Sequence, residues 1–321
     1  MRVVVIAADG LRPDYLGCYG CEWVATPTID RWAAEGIVYD WHFADSPGTP
    51  EPSGLYDRLG MAGIKLSHVP FDRDADEPFG LKPTRRALRR AIEGLGDSDP
   101  AVLWIDIGLL LPPWDVPDET LADYFFEDDE EDESDDQAFP WPDKLPIAID
   151  DNRTLDRVQR TYAAAITAFD TGLAKLWADL DKRGWGDQAT WAITSFRGLP
   201  LGERSAAGFA NGLPHEELVH LPLIVRLPRG EGGDRIGALT QPPDLYDAIC
   251  RWVGLSVESS ISHDVITIAH IGVRTPSRYL IATDPPQLYL KPDDRWEVND
   301  VAQQHLEDVE TLVAHLNREA K

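Results

Sequence analysis

Asp9 is the first residue placed to do chemistry. It closes the apolar run Val3-Val4-Val5-Ile6, and a carboxylate at the carboxyl end of a buried parallel strand faces the crevice where ligands of open α/β sheets collect. Cys18 and Cys21 have the spacing of a redox pair or of half a zinc site. No second pair or flanking His completes one, so small, part-buried side chains are the plainer reading. Glu127 to Asp136 is an acidic run broken only by Ser134. It could gather a divalent cation, yet consecutive like charges lack the shaped cage that calcium needs, and a solvated insertion fits better. Arg85, Arg86, Arg89 and Arg90 could form an anion patch; as one face of a helix they read more simply as solvated.

The elements that must position these groups follow from periodicity. Residues 3–9, "AVLWIDI" (101–107), "ATWAITSF" (189–196) and "LPLIVRLP" (221–228) are apolar runs of strand length, and Ile37 to Trp41 is a further candidate. Thr28 to Glu35 reads as a short helix behind Thr26-Pro27 and before Gly36, and Lys82 to Leu95 as another, striped by Leu81, Leu88, Ile92 and Leu95. Thr154 to Arg183 is the longest helical pattern, with Val158, Tyr162, Ile166, Phe169 and Leu173 in phase. Asp244 to Val253, a hairpin of Tyr279 to Thr283 and Gln287 to Leu290, and a helix from Gln303 to Leu316 follow. Strands alternating with helices predict an α/β fold: a mainly parallel central sheet with helices on both faces, then a small C-terminal hairpin-plus-helix element. The expected division is a main domain over 1–255, with the acidic insertion at about 127–136, and a small subdomain over 256–321 packed on it. The loop "LLLPPWDVP" (109–117) reads as Pro-rich with exposed apolar residues.

An apolar fraction of 43% with 11 Trp can fill the core of a chain of 321 residues. The formal charge of −26 argues against nucleic acid or an anionic membrane as partner, since both would be repelled. The run from Val3 is too short, and too soon followed by Asp9, for a signal peptide or membrane span. Three Cys make no disulfide framework, so a cytoplasmic location is expected.

Four ordered segments carry a resemblance to the sulfatases of the alkaline-phosphatase superfamily. "VVVIAADGLRPDYLGCYG" (3–20) resembles the family's opening strand and Asp-x-x-Arg turn, and "TPTIDRWAAEGIVYD" (26–40) the segment after it. "GLPHEELVHLPLIVRLP" (212–228) resembles the Tyr-Glu-Glu stretch with its strand, and "LYLKPDDRWEVNDVA" (288–302) the closing segment. The resemblance implies the sulfatase fold over nearly the whole chain. It also implies sulfate-ester cleavage, which needs a divalent cation, a nucleophile and fixed positive charge.

In the family, calcium or magnesium is held by two Asp after the first strand and by an Asp with an Asn or His after a later one. Asp9 keeps the first position; Gly10 stands at the second, and Phe196 and Arg197 at the later pair. One carboxylate does not hold such an ion by itself, so no metal is expected and Asp9 is expected to pair with Arg12 or Arg197. The nucleophile position falls on Gly48, which has no side chain to oxidise to formylglycine; Thr49 and Ser46 are the fallback. Loop 108–114 lacks the family's His, and "GFANG" (208–212) its Lys. Leu109 to Leu111 and Phe196 would make the old pocket apolar.

The implied reading is a pseudosulfatase, catalytically inactive and acting in binding or assembly. Trp114 and Trp141, the latter between Pro140 and Pro142, would dock a protein partner: an active relative or a second copy of the chain. The alternative is an active sulfuric- or phosphoric-ester hydrolase with displaced residues. It would use Asp9, Thr49 and one of His42, His215 or His220 with a calcium or magnesium ion. A small-anion sensor built on Arg12 and Arg197 is a third reading.

Overall fold

The computed structural model describes residues 1–46, 48, 52–70, 82–96, 98–114, 116–125, 146–209, 212–230, 232–258 and 262–319. The first half runs β1 (Arg2–Ala8), α1 (Pro27–Ala34), β2 (Ile37–Phe43), α2 (Ser53–Met61), β3 (Lys65–Val69), α3 (Lys82–Leu95) and β4 (Ala101–Ile107). The short α4 (Asp118–Leu121) and β5 (Ile147–Ala148) lead into the long α5 (Asn152–Asp181). Then come β6 (Ala189–Thr194), β7 (Ala206–Ala207), α6 (Glu216–Val219), β8 (His220–Arg226), β9 (Asp234–Thr240) and α7 (Pro242–Trp252). Strands β10 (Ile266–Ile268), β11 (Gly272–Arg274), β12 (Arg278–Ile281) and β13 (Gln287–Leu290), with α8 (Leu306–Glu319), close the chain.

Seven strands form one sheet in the order β3-β4-β1-β6-β8-β2-β9, with β8 alone running against its neighbours. The mainly parallel sheet expected from the sequence is the one observed. Alternation along β1 feeds two cores. Val4, Ile6 and Ala8 face one shared with Trp32 of α1, Leu88 of α3 and Tyr162 and Phe169 of α5. Val3, Val5 and Ala7 face the other, with Leu55 and Leu59 of α2 and Leu245 and Ile249 of α7. Helices therefore cover both faces. Their ends are tied down locally: the amides of Thr28 and Ile29, free at the start of α1, donate to the buried Asp170 carboxylate of α5 at 3.0 and 2.8 Å. Asp151 caps α5 through the Thr154 amide at 2.7 Å, and Gln241 with Asp244 forms a capping box on α7.

Three features differ from expectation. β9 carries no apolar run because it is an edge strand with several exposed residues. The C-terminal hairpin is half of a four-stranded antiparallel sheet, whose added strands are only three residues each. Leu109, Leu110 and Trp114 are buried rather than exposed. The Trp114 ring packs on Tyr162 and its indole N–H donates to the Leu110 carbonyl at 3.0 Å, which removes it as a docking residue. The acidic run 127–136, Thr49, Leu81, Pro140, Trp141, Pro142 and the side chains of Arg85, Arg86 and Arg89 lie outside the described residues.

Asp170 is 1% exposed and joins α5 to α1. Asp170→Ala leaves two amides without their acceptor and is expected to lower the unfolding free energy by about 2 kcal/mol. Urea unfolding should show a lower midpoint at unchanged slope.

Candidate functional site

β1 and β6 are parallel neighbours whose carboxyl ends coincide, so Asp9 and Arg197 arrive at the same sheet edge. Backbone bonds lock the crossing turns there. The Asp9 N–H donates to Ile107 O (2.7 Å), the Gly10 N–H to Arg197 O (3.0 Å) and the Gly198 N–H to Leu218 O (2.8 Å). From α5, the Tyr162 hydroxyl donates to the Gly10 carbonyl at 2.6 Å. Within this frame the Arg197 guanidinium grips Asp9 twice, Nε to Oδ1 at 3.1 Å and Nη2 to Oδ2 at 3.2 Å. Burial raises the Asp9 pKa, against the pull of Arg197; Asp106 on the neighbouring strand adds to the rise.

Of the two partners expected for Asp9, Arg197 is therefore the one the structure supplies. Arg12 is 2% exposed and turned away, donating from Nε and Nη2 to Asp14 at 2.9 and 2.6 Å. Its Nη1 donates to Leu199 O at 2.9 Å and to Glu203 at 2.5 Å. Gly10 adopts a φ of 88°, and a Cβ added there would lie 2.9 Å from Leu111 Cδ2. The position the resemblance assigns to a second carboxylate is thus shaped for glycine. Phe196 is buried with Tyr39, Leu223 and Leu245 in the α2–α7 core. The cavity beside Arg197, of about 150 Å³, is walled by Pro200, Phe209, Leu213 and Leu218, while Leu111 stands against Gly10. The Phe209 ring lies 3.9 Å from the Arg197 guanidinium carbon.

A divalent cation does not fit this donor set. Both Asp9 oxygens face a guanidinium, and among the described residues no group of three or more His, Cys, Asp or Glu could hold an ion. Ser46 is exposed and Gly48 partly buried, while a Cβ on Gly48 would touch nothing within 4 Å. The candidate histidines sit in structural roles. His42 is fully buried with Nδ1 2.9 Å from the Thr240 hydroxyl, and His220 donates from Nε2 to Asp40 O at 2.9 Å. Burial holds their pKa values down to about 3 and about 4. His215 bonds Glu297 through Nδ1 at 2.6 Å.

Two arrangements escaped sequence reasoning. Glu297, its side chain wholly buried, takes Arg204 at 2.9 Å and His215 at 2.6 Å, tying the closing segment to the loops after β6. His68 on β3 and Asp106 on β4 meet at 2.6 Å, and Asp106 also accepts the Trp104 indole N–H at 2.8 Å. That is an oriented imidazole, but no Ser, Thr or Cys among the described residues bonds to it. Partners 38 and 82 residues apart leave no spacing signal in one sequence.

No family model matches the chain, and no curated protein matches it. Solved structures do. A phosphonate monoester hydrolase of Agrobacterium radiobacter is 17% identical, with a TM-score of 0.70 over 98% of this chain and 96% of that one. A 2-O GAG sulfatase is 13% identical, with a TM-score of 0.70 over 99% and 91%. A third protein, solved with its substrate D-glucosamine-2-N,6-O-disulfate, is 16% identical, with a TM-score of 0.68 over 99% and 97%. The chain thus has, nearly end to end, the fold of these hydrolases. It is the sulfatase-like fold that the four segments implied.

Gly10→Asp, which restores a carboxylate beside Asp9, is expected to cost about 1–3 kcal/mol through strain at positive φ. Calcium or magnesium should not raise the thermal midpoint of this variant. A second outcome concerns pH. Folded His42 and His220 titrate near 3 and 4, below the 6.5 of an exposed imidazole, so in that interval the unfolded chain binds more protons. Stability should therefore fall as pH drops from about 6.5 toward 4, by up to about 1.4 kcal/mol per pH unit for each histidine. His42→Gln should flatten that slope in urea titrations; an unchanged slope would mean the buried ring carries charge.

Proposed function

We propose that this chain is a sulfatase-fold protein in which metal-dependent ester cleavage has given way to binding or assembly. The observation that carries the reading is the two-bond grip of Arg197 on Asp9. A guanidinium neutralises the carboxylate and holds the turns together, but it has no open coordination position at which to polarise an ester or lower the pKa of a nucleophile. Gly48 adds no nucleophile. Exposed Trp23, Trp296, Val298 and Leu306 offer apolar surface for a protein partner, an active relative or a second copy. The charge of −26 weighs against nucleic acid and anionic membranes, and no helix among the described residues is long and apolar enough to cross a membrane. Three unpaired cysteines favour a reducing, cytoplasmic setting.

The rival reading is an ester hydrolase with displaced residues, and the His68–Asp106 pair is the feature that favours it. Incubation with 4-nitrophenyl sulfate, 4-nitrophenyl phosphate and a phosphonate monoester, each with and without magnesium, calcium, manganese or zinc, separates the two. No turnover is expected, with substoichiometric metal by elemental analysis. Turnover abolished by Asp9→Ala, or by His68→Ala, would overturn the binding reading.

A further inference from the structure

We infer that the seam between the central sheet and the C-terminal sheet binds a small planar aromatic anion, with Arg295 and Arg235 holding its charge and Trp41 and Tyr19 its ring. The seam goes beyond the function proposed above, because it shares no lining residue with the cavity beside Arg197.

A cavity of about 220 Å³ lies there. A dry cavity of roughly 150 Å³ admits benzene, so this one has room for a ring plus a carboxylate, or for two fused rings. Its cations are unequal. Arg235 pairs with Asp40, donates to Cys18 O at 2.7 Å and sits over the Tyr19 ring at 5.9 Å, yet its side chain is 49% exposed. Arg295 has no carboxylate within ion-pair distance among the described residues, though its charge acts on Asp14 from farther off. It is held without one. Its guanidinium stacks on Trp296 at 5.1 Å, its carbonyl accepts from Lys291 Nζ at 3.1 Å, and Asp294 pins the turn through the amides of Val298 and Asn299, each at 2.9 Å. The turn fixes where Arg295 starts and its exposed side chain leans on Trp296, so its donors are open to a ligand at the cavity.

The ring faces are equally fixed. Trp41 stacks on His220 with centroids 5.5 Å apart and planes at 22°, and Arg274 lies against Trp41 at 5.5 Å. Burial, with Arg295 among the lesser causes, keeps His220 uncharged at neutral pH, so that wall presents a neutral ring. The two carboxylates of the lining are already matched: Asp40 by Arg235, and Glu216 by Lys291 at 3.1 Å and Arg274 at 3.4 Å. Arg295 is left as the cation of the lining with no carboxylate in direct contact among the described residues, Asp14 acting on it only at longer range.

Calorimetric titration of the full chain at pH 7 with 1-naphthoate tests this, with neutral 1-naphthamide and inorganic phosphate as comparison probes. Saturable naphthoate binding is expected, weakened at least about tenfold in Arg295→Gln and weaker for the amide. Arg295 supports no internal ion pair, so the variant should keep the wild-type thermal midpoint; Arg235→Gln is the second variant and should also weaken binding. The inference fails if naphthoate does not bind at millimolar concentration, if Arg295→Gln binds it as well as wild type, if the amide binds as tightly, or if phosphate alone displaces it. None of these outcomes depends on whether the chain cleaves esters.

Discussion

Two opposite charges meet at the end of β1 where little water reaches: Asp9 is 6% exposed, and the Arg197 side chain 24%. Either one left alone there would be a poorly solvated ion, an arrangement that costs several kcal/mol when buried. The pair also relaxes its surroundings. A calcium or magnesium ion wants six or more oxygens from several loops, whereas a guanidinium is satisfied by the two oxygens of one carboxylate. With Arg197 satisfied by Asp9 alone, this pair asks for no further oxygen ligands from the neighbouring turns. Gly10 can take its positive φ against Leu111, and Gly198 can bring the chain so near Glu217 that a Cβ would meet its carbonyl at 2.1 Å.

A second knot of charge joins the C-terminal sheet to this edge. Glu216, Glu217 and Glu297 are buried together, and burial raises the pKa of the first two. Repulsion among them is offset because cations interleave: Lys291 between Glu216 and Glu297, Arg204 between Glu217 and Glu297, Arg274 on Glu216. Such a network is directional in a way that apolar packing is not, and it sets how the closing segment lies on α6. The apolar cluster of Phe43, Leu218, Ile266 and Tyr279 then fills the space beside it.

The architecture was largely legible because the parallel strands are buried on both faces. Ala101–Ile107 and Lys82–Leu95 match their patterns residue for residue, since a continuous apolar run and a helical stripe are direct consequences of burial. β9 and the three-residue strands β10 and β11 had no such signature. Trp114 departs from expectation because a Pro-rich loop ordinarily runs over the surface, whereas this one folds back on Tyr162. At the site, residue types alone identified Asp9 and its possible partners. They did not choose between Arg12 and Arg197, because the choice rests on Asp14 and on Glu203, 191 residues from Arg12.

Among the described residues the buried charges nearly balance, four cations against six carboxylates, so the rest of their charge lies at exposed or half-buried positions. At physiological ionic strength that surface charge is screened within about 8 Å, while groups lining a cavity act at shorter range and in a lower dielectric. An anion approaching this protein is therefore repelled at a distance and attracted only on contact with a guanidinium lacking a partner. Binding under those conditions favours ligands that bring an apolar body as well as a charge, because ring burial supplies the attraction that the long-range field withholds. Arg197, already held by Asp9, makes no such offer to a second carboxylate, and Arg12, held by Asp14 and Glu203, makes less. Arg12 and Arg197 act as internal struts, so an anion sensor built on that pair would have to break these ion pairs first.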